Sequence, residues 1–152
     1  MTAAEDPTLA YWGAHREQFR QSENQRAVLT NFVLVIAAGA SGLVIQQGLR
    51  LRTLPLSVLI IVIGLYGVLA VAKYHERATY HLLQARALTH ALVTSGALPD
   101  YDAVLEETRQ EHYQHYPHLH RLRLRLHWLW TGLHLAIAAY GVVLVILTFL
   151  IR

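Results

Sequence analysis

The stretch LPLSVLIIVIGLYGVLAVA, residues 54–72, carries no charged side chain and is apolar on every side of a helix. A soluble core helix rarely stays apolar all round for so long. A bilayer core of roughly 30 Å takes about 20 helical residues to cross, and this stretch meets that length. Two further blocks do the same. Residues 29–48 contain no charge, and their polar positions include Thr30, Asn31, Ser41, Gln46 and Gln47. Residues 128–151 hold one ionisable side chain apart from tyrosine, His134. The expected fold is therefore an all-α membrane protein: three transmembrane helices with helical extensions on the cytoplasmic side.

The composition agrees. Of 152 residues, 54% are hydrophobic and only 15% charged, an apolar excess over an ordinary soluble domain. With no cysteine, disulfides, thiolate metal sites, cysteine nucleophiles and S-palmitoylation are excluded. Lys73 is the sole lysine among 13 basic residues, and Ala, Leu and His abound, a bias that suggests a GC-rich bacterial genome. A net charge of +3 is too small to argue for nucleic acid, which is not an expected partner.

Ala38-Gly39-Ala40 has the small residues of a signal-peptide cleavage site. However, residues 1–28 include Glu5, Asp6, Glu17 and Glu23, unlike a short positive leader, so the first span is expected to be retained.

Basic residues set the orientation. Arg16, Arg20, Arg26, Lys73, Arg77, Arg86, Arg109, Arg121, Arg123 and Arg125 lie on one side; Arg50, Arg52 and Arg152 lie on the other. The richer side is read as cytoplasmic. That places the chain in a bacterial inner membrane, with the N-terminus inside and the C-terminus outside. Trp128, Trp130 and Tyr74 fall where spans meet the cytoplasmic surface, as aromatic anchors do.

The cytoplasmic part is small and helical. Leu9, Trp12 and Phe19 recur at helical spacing in residues 8–28, so that helix is expected to run into the first span. No stop signal follows Ala72 before Gly96-Ala97-Leu98-Pro99, so residues 54–94 should form one helix of about 40 residues, roughly 60 Å long. Asp100 or Asp102 is the expected cap of the next helix, which Pro117 must break. Three such extensions can pack as a bundle. Residues 73–126 are too few for a second folded domain, so 1–152 reads as one helical membrane domain.

Several clusters bear on chemistry. His112, His115, His118 and His120 fall within nine residues. With Glu111, His112 and His115 share a helical face, a ligand set for zinc. His134 lies about 9 Å below Trp128 along the helix. An ionisable residue at that depth turns away from lipid, toward a pore, a proton relay or a neighbouring helix; Asn31 is its expected partner. Arg121, Arg123 and Arg125 precede the third span and would clamp lipid headgroups or dock an acidic partner. Ala38, Gly39 and Gly42, Gly64 and Gly67, and Gly132, Ala136 and Ala139 provide small surfaces for close helix packing, including self-association. No nucleophile triad, phosphate loop or dinucleotide fingerprint is present.

Arg109 to His115 and Arg121 to His127 resemble the Arg-x4-6-His pair of the HEPN ribonuclease superfamily, without its customary polar residue after the arginine. Arg16-Glu17-Gln18-Phe19-Arg20, Asn24-Gln25-Arg26 leading to Asn31, and Lys73-Tyr74-His75-Glu76-Arg77 leaving the second span resemble small bacterial multi-span membrane proteins found beside anti-phage defence genes. These include the small membrane accessories of RNA-targeting CRISPR systems. The resemblance implies a membrane-damaging effector or accessory pore.

Three functions are thus expected, in order. The first is a homo-oligomeric pore-forming or membrane-disrupting protein. The second is a non-conducting anchor docking a cytoplasmic protein through residues 73–126. The third is a metal- or RNA-acting protein using the His/Arg cluster.

Overall fold

A computed structural model of the chain describes residues 7–98, 101–116 and 126–151. Among these it is all-helical, with no strand. Helix α1 spans Pro7–Gln47, α2 Leu54–Thr94, α3 Tyr101–His115 and α4 Leu126–Leu150, with a short 3-10 turn at Leu51–Thr53. The two long helices have 41 residues each, as the uninterrupted sequence predicted. Three helices are long and apolar enough to cross a bilayer.

The chain ends around the spans are built by specific residues. Gly48 closes α1 at a φ of +77°, a left-handed conformation that glycine adopts without a Cβ clash. Thr53, fully buried, ties the following turn: its hydroxyl donates to the Arg50 and Gly48 carbonyls and accepts the Arg50 N–H. Gly96, at φ +78°, ends α2. There the Ala97 N–H reaches the Leu92 carbonyl and the Gly96 N–H the Val93 carbonyl, both at 3.0 Å. That paired pattern is a Schellman stop, in the place the Gly-x-x-Pro signal marked. Helix α3 ends two residues before Pro117; Pro117, Asp100 and the side chain of Asp102 lie outside the described residues.

The chain packs as two compact units. The apolar unit draws on Ser22–Glu76 and Leu126–Arg152. In it, α1 buries Arg26, Thr30, Val33, Ala37, Ala40 and Val44, and α2 buries Ser57, Ile60, Gly64, Gly67 and Val71. Steps of three and four residues sum to seven, the repeat of knobs-into-holes helix packing. Helix α4 contributes His134, Ile137, Ala138, Gly141, Leu144 and Thr148. Contacts define the directions. Arg26 meets Trp130 and Thr30 meets His134, so α1 and α4 run parallel. Gly67 meets His134, Gly64 meets Ala138 and Ile61 meets Gly141, so α2 runs against them.

Outward positions of this unit are equally apolar: Val35, Ile45 and Leu69 are each at least 70% exposed. Only 28% of each span's most apolar window is buried within the chain. Apolar residues inside and outside together suit a lipid solvent, in which each helix satisfies its own backbone hydrogen bonds.

The polar unit draws on Met1–Gln21 and Arg77–Arg125. Here α1 and α2 are antiparallel, joined by Arg77 donating to Gln18 at 3.0 Å, by His15 against His81, and by Trp12 donating to Thr89 at 2.9 Å. Ala78, Ala85 and Leu92 continue the seven-residue buried stripe of α2.

Candidate functional site

Two polar constellations emerge, one in each unit. In the apolar unit, His134 is fully buried. Its Nε2 lies 3.1 Å from the Thr30 hydroxyl, which itself donates to the Arg26 carbonyl at 3.0 Å. Thr30 has one proton to give, so the neutral imidazole must carry its hydrogen on Nε2 and donate to Thr30. The Nδ1 lone pair then faces the hollow left by Gly67, without a hydrogen-bond partner among the described residues.

Asn31, the expected partner of His134, is exposed instead. The inner stripe of α1 passes through Arg26, Thr30 and Val33, and Asn31 lies about 100° round the helix from Thr30. Thr30 takes the role. The three helices of one chain therefore hide the imidazole unaided, with no subunit interface needed.

One turn nearer the start of α4, Arg26 is 4% exposed. It pairs with Glu23, and its guanidinium lies 5.2 Å from the Trp130 ring centroid. Arg26–Trp130 and Thr30–His134 thus form two rungs between α1 and α4. Sequence reading counted Arg26 only as a topogenic charge. Its i, i+4 relation to Thr30 was the available signal that it faces inward.

Removing one partner of the lower rung has a definite expected result. Thr30→Val strips His134 of its acceptor and should destabilise the unit by on the order of 1–3 kcal/mol. Adding His134→Phe should recover most of that loss, because neither side then buries an unmet polar group. Unfolding in mixed detergent micelles would check this; a double variant no better than the single one would refute it.

In the polar unit, a cavity of about 750 Å³ opens among α1, α2 and α3. Arg16, Arg86, Arg109 and His90 supply its basic lining, and Trp12 and Tyr101 its aromatic walls. Leu82, Ala85, Val93 and Leu105 supply its apolar surface; among the described residues, no carboxylate lines it. Trp12 is fixed by its bond to Thr89, whose hydroxyl donates in turn to the Ala85 carbonyl. The Arg16 guanidinium sits 5.8 Å from the Trp12 ring centroid. Arg109 pairs with Glu106 at 2.6 Å. Sequence reading missed this site because Trp12 and Thr89 are 77 positions apart. The pairs Trp12/Arg16 and Arg86/His90, each one helical turn apart, were its faint trace.

Next to it, His15 Nδ1 and His81 Nδ1 approach to 3.1 Å, so one must donate while the other accepts. The His81 pKa lies below the ordinary histidine value. Burial is the largest cause, followed by repulsion from His15 and then Arg77. The Tyr80 ring also faces His81, edge-on at 5.3 Å. An unfolded chain protonates this histidine near pH ~6.5, where the fold still resists the proton. Stability tied to His81 is therefore intact above that pH and declines as pH falls through it. Between about pH 8 and about pH 5.5, the wild type should lose more melting temperature than His81→Gln. Equal losses would show that the pair is not a proton-sensitive joint.

His112, His115 and Glu111 lie on exposed α3, where His115 Nδ1 donates to the Glu111 carbonyl at 3.0 Å. Among the described residues, no group of three His, Cys, Asp or Glu comes together to hold a metal ion. For the HEPN-like pair, Arg109 is engaged with Glu106 and His115 with its own helix backbone. Arg121, Arg123 and Arg125, like His118 and His120, lie outside the described residues. Gly64 and Gly67 are used within the chain, whereas Gly39, Gly42 and Gly132 have open space where a Cβ would stand. No family model, curated protein or solved structure matches the chain.

Proposed function

We propose that the chain is a non-conducting membrane anchor in a bacterial inner membrane, holding a receptor unit that captures a cytoplasmic partner. The observation that supports this reading is the sealed His134. Apart from tyrosine, the one ionisable residue deep in the spans is bonded to Thr30 of the same chain and is 0% exposed, so it offers a pore nothing to line. The unspent charge lies instead in the arginine-lined cavity of the polar unit. By the distribution of basic residues, that unit faces the cytoplasm.

Capture from cells with wild type and an Arg16→Glu/Arg86→Glu variant tests the receptor. The variant should lose the wild-type partner while inserting normally; an unchanged partner list would reject the cavity as a docking site. Orientation can be mapped by thiol labelling, since the chain has no cysteine of its own. Ser95→Cys should label from the cytoplasmic side and Leu51→Cys from outside.

A second reading, the homo-oligomeric pore or membrane-disrupting effector of a defence system, is favoured by the outward small faces. Gly39 and Gly42 on α1 and Gly132, Ala136 and Ala139 on α4 leave room for close approach by another helix. Liposome leakage by the purified protein would establish it and displace the anchor reading.

A further inference from the structure

The cavity of the polar unit has the chemistry of a small-molecule site, and its walls define the ligand class. We propose that it binds a nucleoside phosphate, with phosphate held by arginine and the base laid between aromatic and apolar walls. This rests on the receptor reading above and names what the receptor senses.

Among the described residues, three arginines and no carboxylate line the space. Arg86 has no hydrogen bond or ion pair among the described residues, and Arg16 spends only its flat face, on Trp12. Among the described residues, neither spends its N–H donors on a protein partner, which leaves them for a ligand. A guanidinium presents those donors as a planar fork that matches two phosphate oxygens. Arg109 is half-neutralised by Glu106 and would be the weaker contributor. Helix α1 supplies Arg16, α2 Arg86 and α3 Arg109, so arginines from three helices line one space.

Phosphate alone would leave most of the space unused. About 750 Å³ is within the range of cavities that hold drug-sized organic ligands. Tyr101 and Trp12 offer flat surfaces, with Leu82 and Leu105 beside them, for an unsaturated ring. Trp12 is anchored through Thr89, so little ordering is left to be done on binding. A phospholipid headgroup shares the phosphate but has no flat ring for these walls.

The test is equilibrium dialysis with the full chain in nanodiscs of zwitterionic lipid, using labelled ATP, GTP and AMP, with adenosine and inorganic phosphate as competitors. A nucleotide should bind saturably, outcompeting adenosine and inorganic phosphate by at least about tenfold each. Arg86→Gln, at an exposed position outside the packed core, should weaken binding about tenfold or more, the loss of one charge-assisted contact. Leu105→Trp, which narrows the cavity at one apolar wall and leaves every charge in place, should change nucleotide affinity while leaving competition by inorganic phosphate unaltered. No saturable nucleotide binding, or inorganic phosphate competing as well as nucleotide, would overturn the proposal. So would nucleotide displacement by anionic phospholipid added to the nanodisc, which assigns the arginines to headgroups. A protein partner lost in the Arg16→Glu/Arg86→Glu variant while no nucleotide binds would leave the receptor standing and reject only this ligand.

Discussion

Gly67→Ala is expected to destabilise the apolar unit by about 2–3 kcal/mol, the cost of forcing a methyl into a filled interior. A Cβ on Gly67 would enter the His134 imidazole, overlapping its Nδ1, Cε1 and Cγ. The ring cannot readily swing aside, because its Nε2 is held by Thr30. Gly64→Ala should be at least as damaging for a different reason: its Cβ would stand 2.7 Å from the Ala138 backbone nitrogen and 2.9 Å from its Cα. The two variants must therefore differ in rescue. His134→Ala should recover part of the loss in Gly67→Ala, since it removes the obstructing ring and leaves Thr30 bonded to the Arg26 carbonyl, the remainder being the cavity that the added methyl only partly fills. Ala138→Gly should not restore Gly64→Ala, since the obstruction is main chain. Gly39→Ala, with open space around it, is the control and should be neutral or slightly stabilising. Unfolding in mixed micelles, followed by far-ultraviolet circular dichroism, separates these cases. A Gly67→Ala variant indistinguishable from Gly39→Ala would mean that the three helices do not pack as described.

These glycines also show where sequence reading reaches and where it stops. The spans were legible because charge exclusion over about 20 residues has few other causes. The long α2 and its stop at Gly96 were legible because helix breakers act locally. Gly64 and Gly67 were recognisable as packing residues, whereas Gly39, Gly42 and Gly132, expected to pack likewise, meet nothing among the chain's described residues. Which of them face the chain's own helices was not legible, because spans apolar on every side have no hydrophobic stripe to set their rotation. Only the sparse polar residues carry that phase. Ser22, Arg26 and Thr30, four apart, all turn inward on α1. Asn31 drew attention by polarity alone and points out. The cavity was illegible for another reason: its walls come from segments whose association depends on tertiary packing, with Arg16 and Arg109 brought together from opposite ends of the polar unit.

The upper rung between α1 and α4 gives the second large effect, and it is asymmetric. The Arg26 side chain is 5% exposed and that of Glu23 34%. The arginine has thus lost most of its water, while the carboxylate keeps a share. Glu23→Ala leaves a guanidinium buried beside Trp130 with no counter-charge, and its Nε already lacks a partner among the described residues. Breaking a fully buried pair costs about 3–5 kcal/mol; the partial exposure of Glu23 reduces this to about 1–3 kcal/mol. Arg26→Leu removes the charge that was costly to bury, leaving Glu23 able to turn toward water. Its loss is the cation–π contact with Trp130, about 0.5–2 kcal/mol, offset by the better fit of leucine to an apolar setting. Glu23→Ala should therefore unfold at lower detergent stress than Arg26→Leu, and Glu23→Ala/Arg26→Leu should resemble Arg26→Leu alone. Nine of the ten basic residues on the more basic side of the spans remain after Arg26→Leu, so orientation should hold. Equal losses in the two single variants, or a larger loss for Arg26→Leu, would show that the guanidinium is a favourable packing element rather than a buried charge held in place by Glu23.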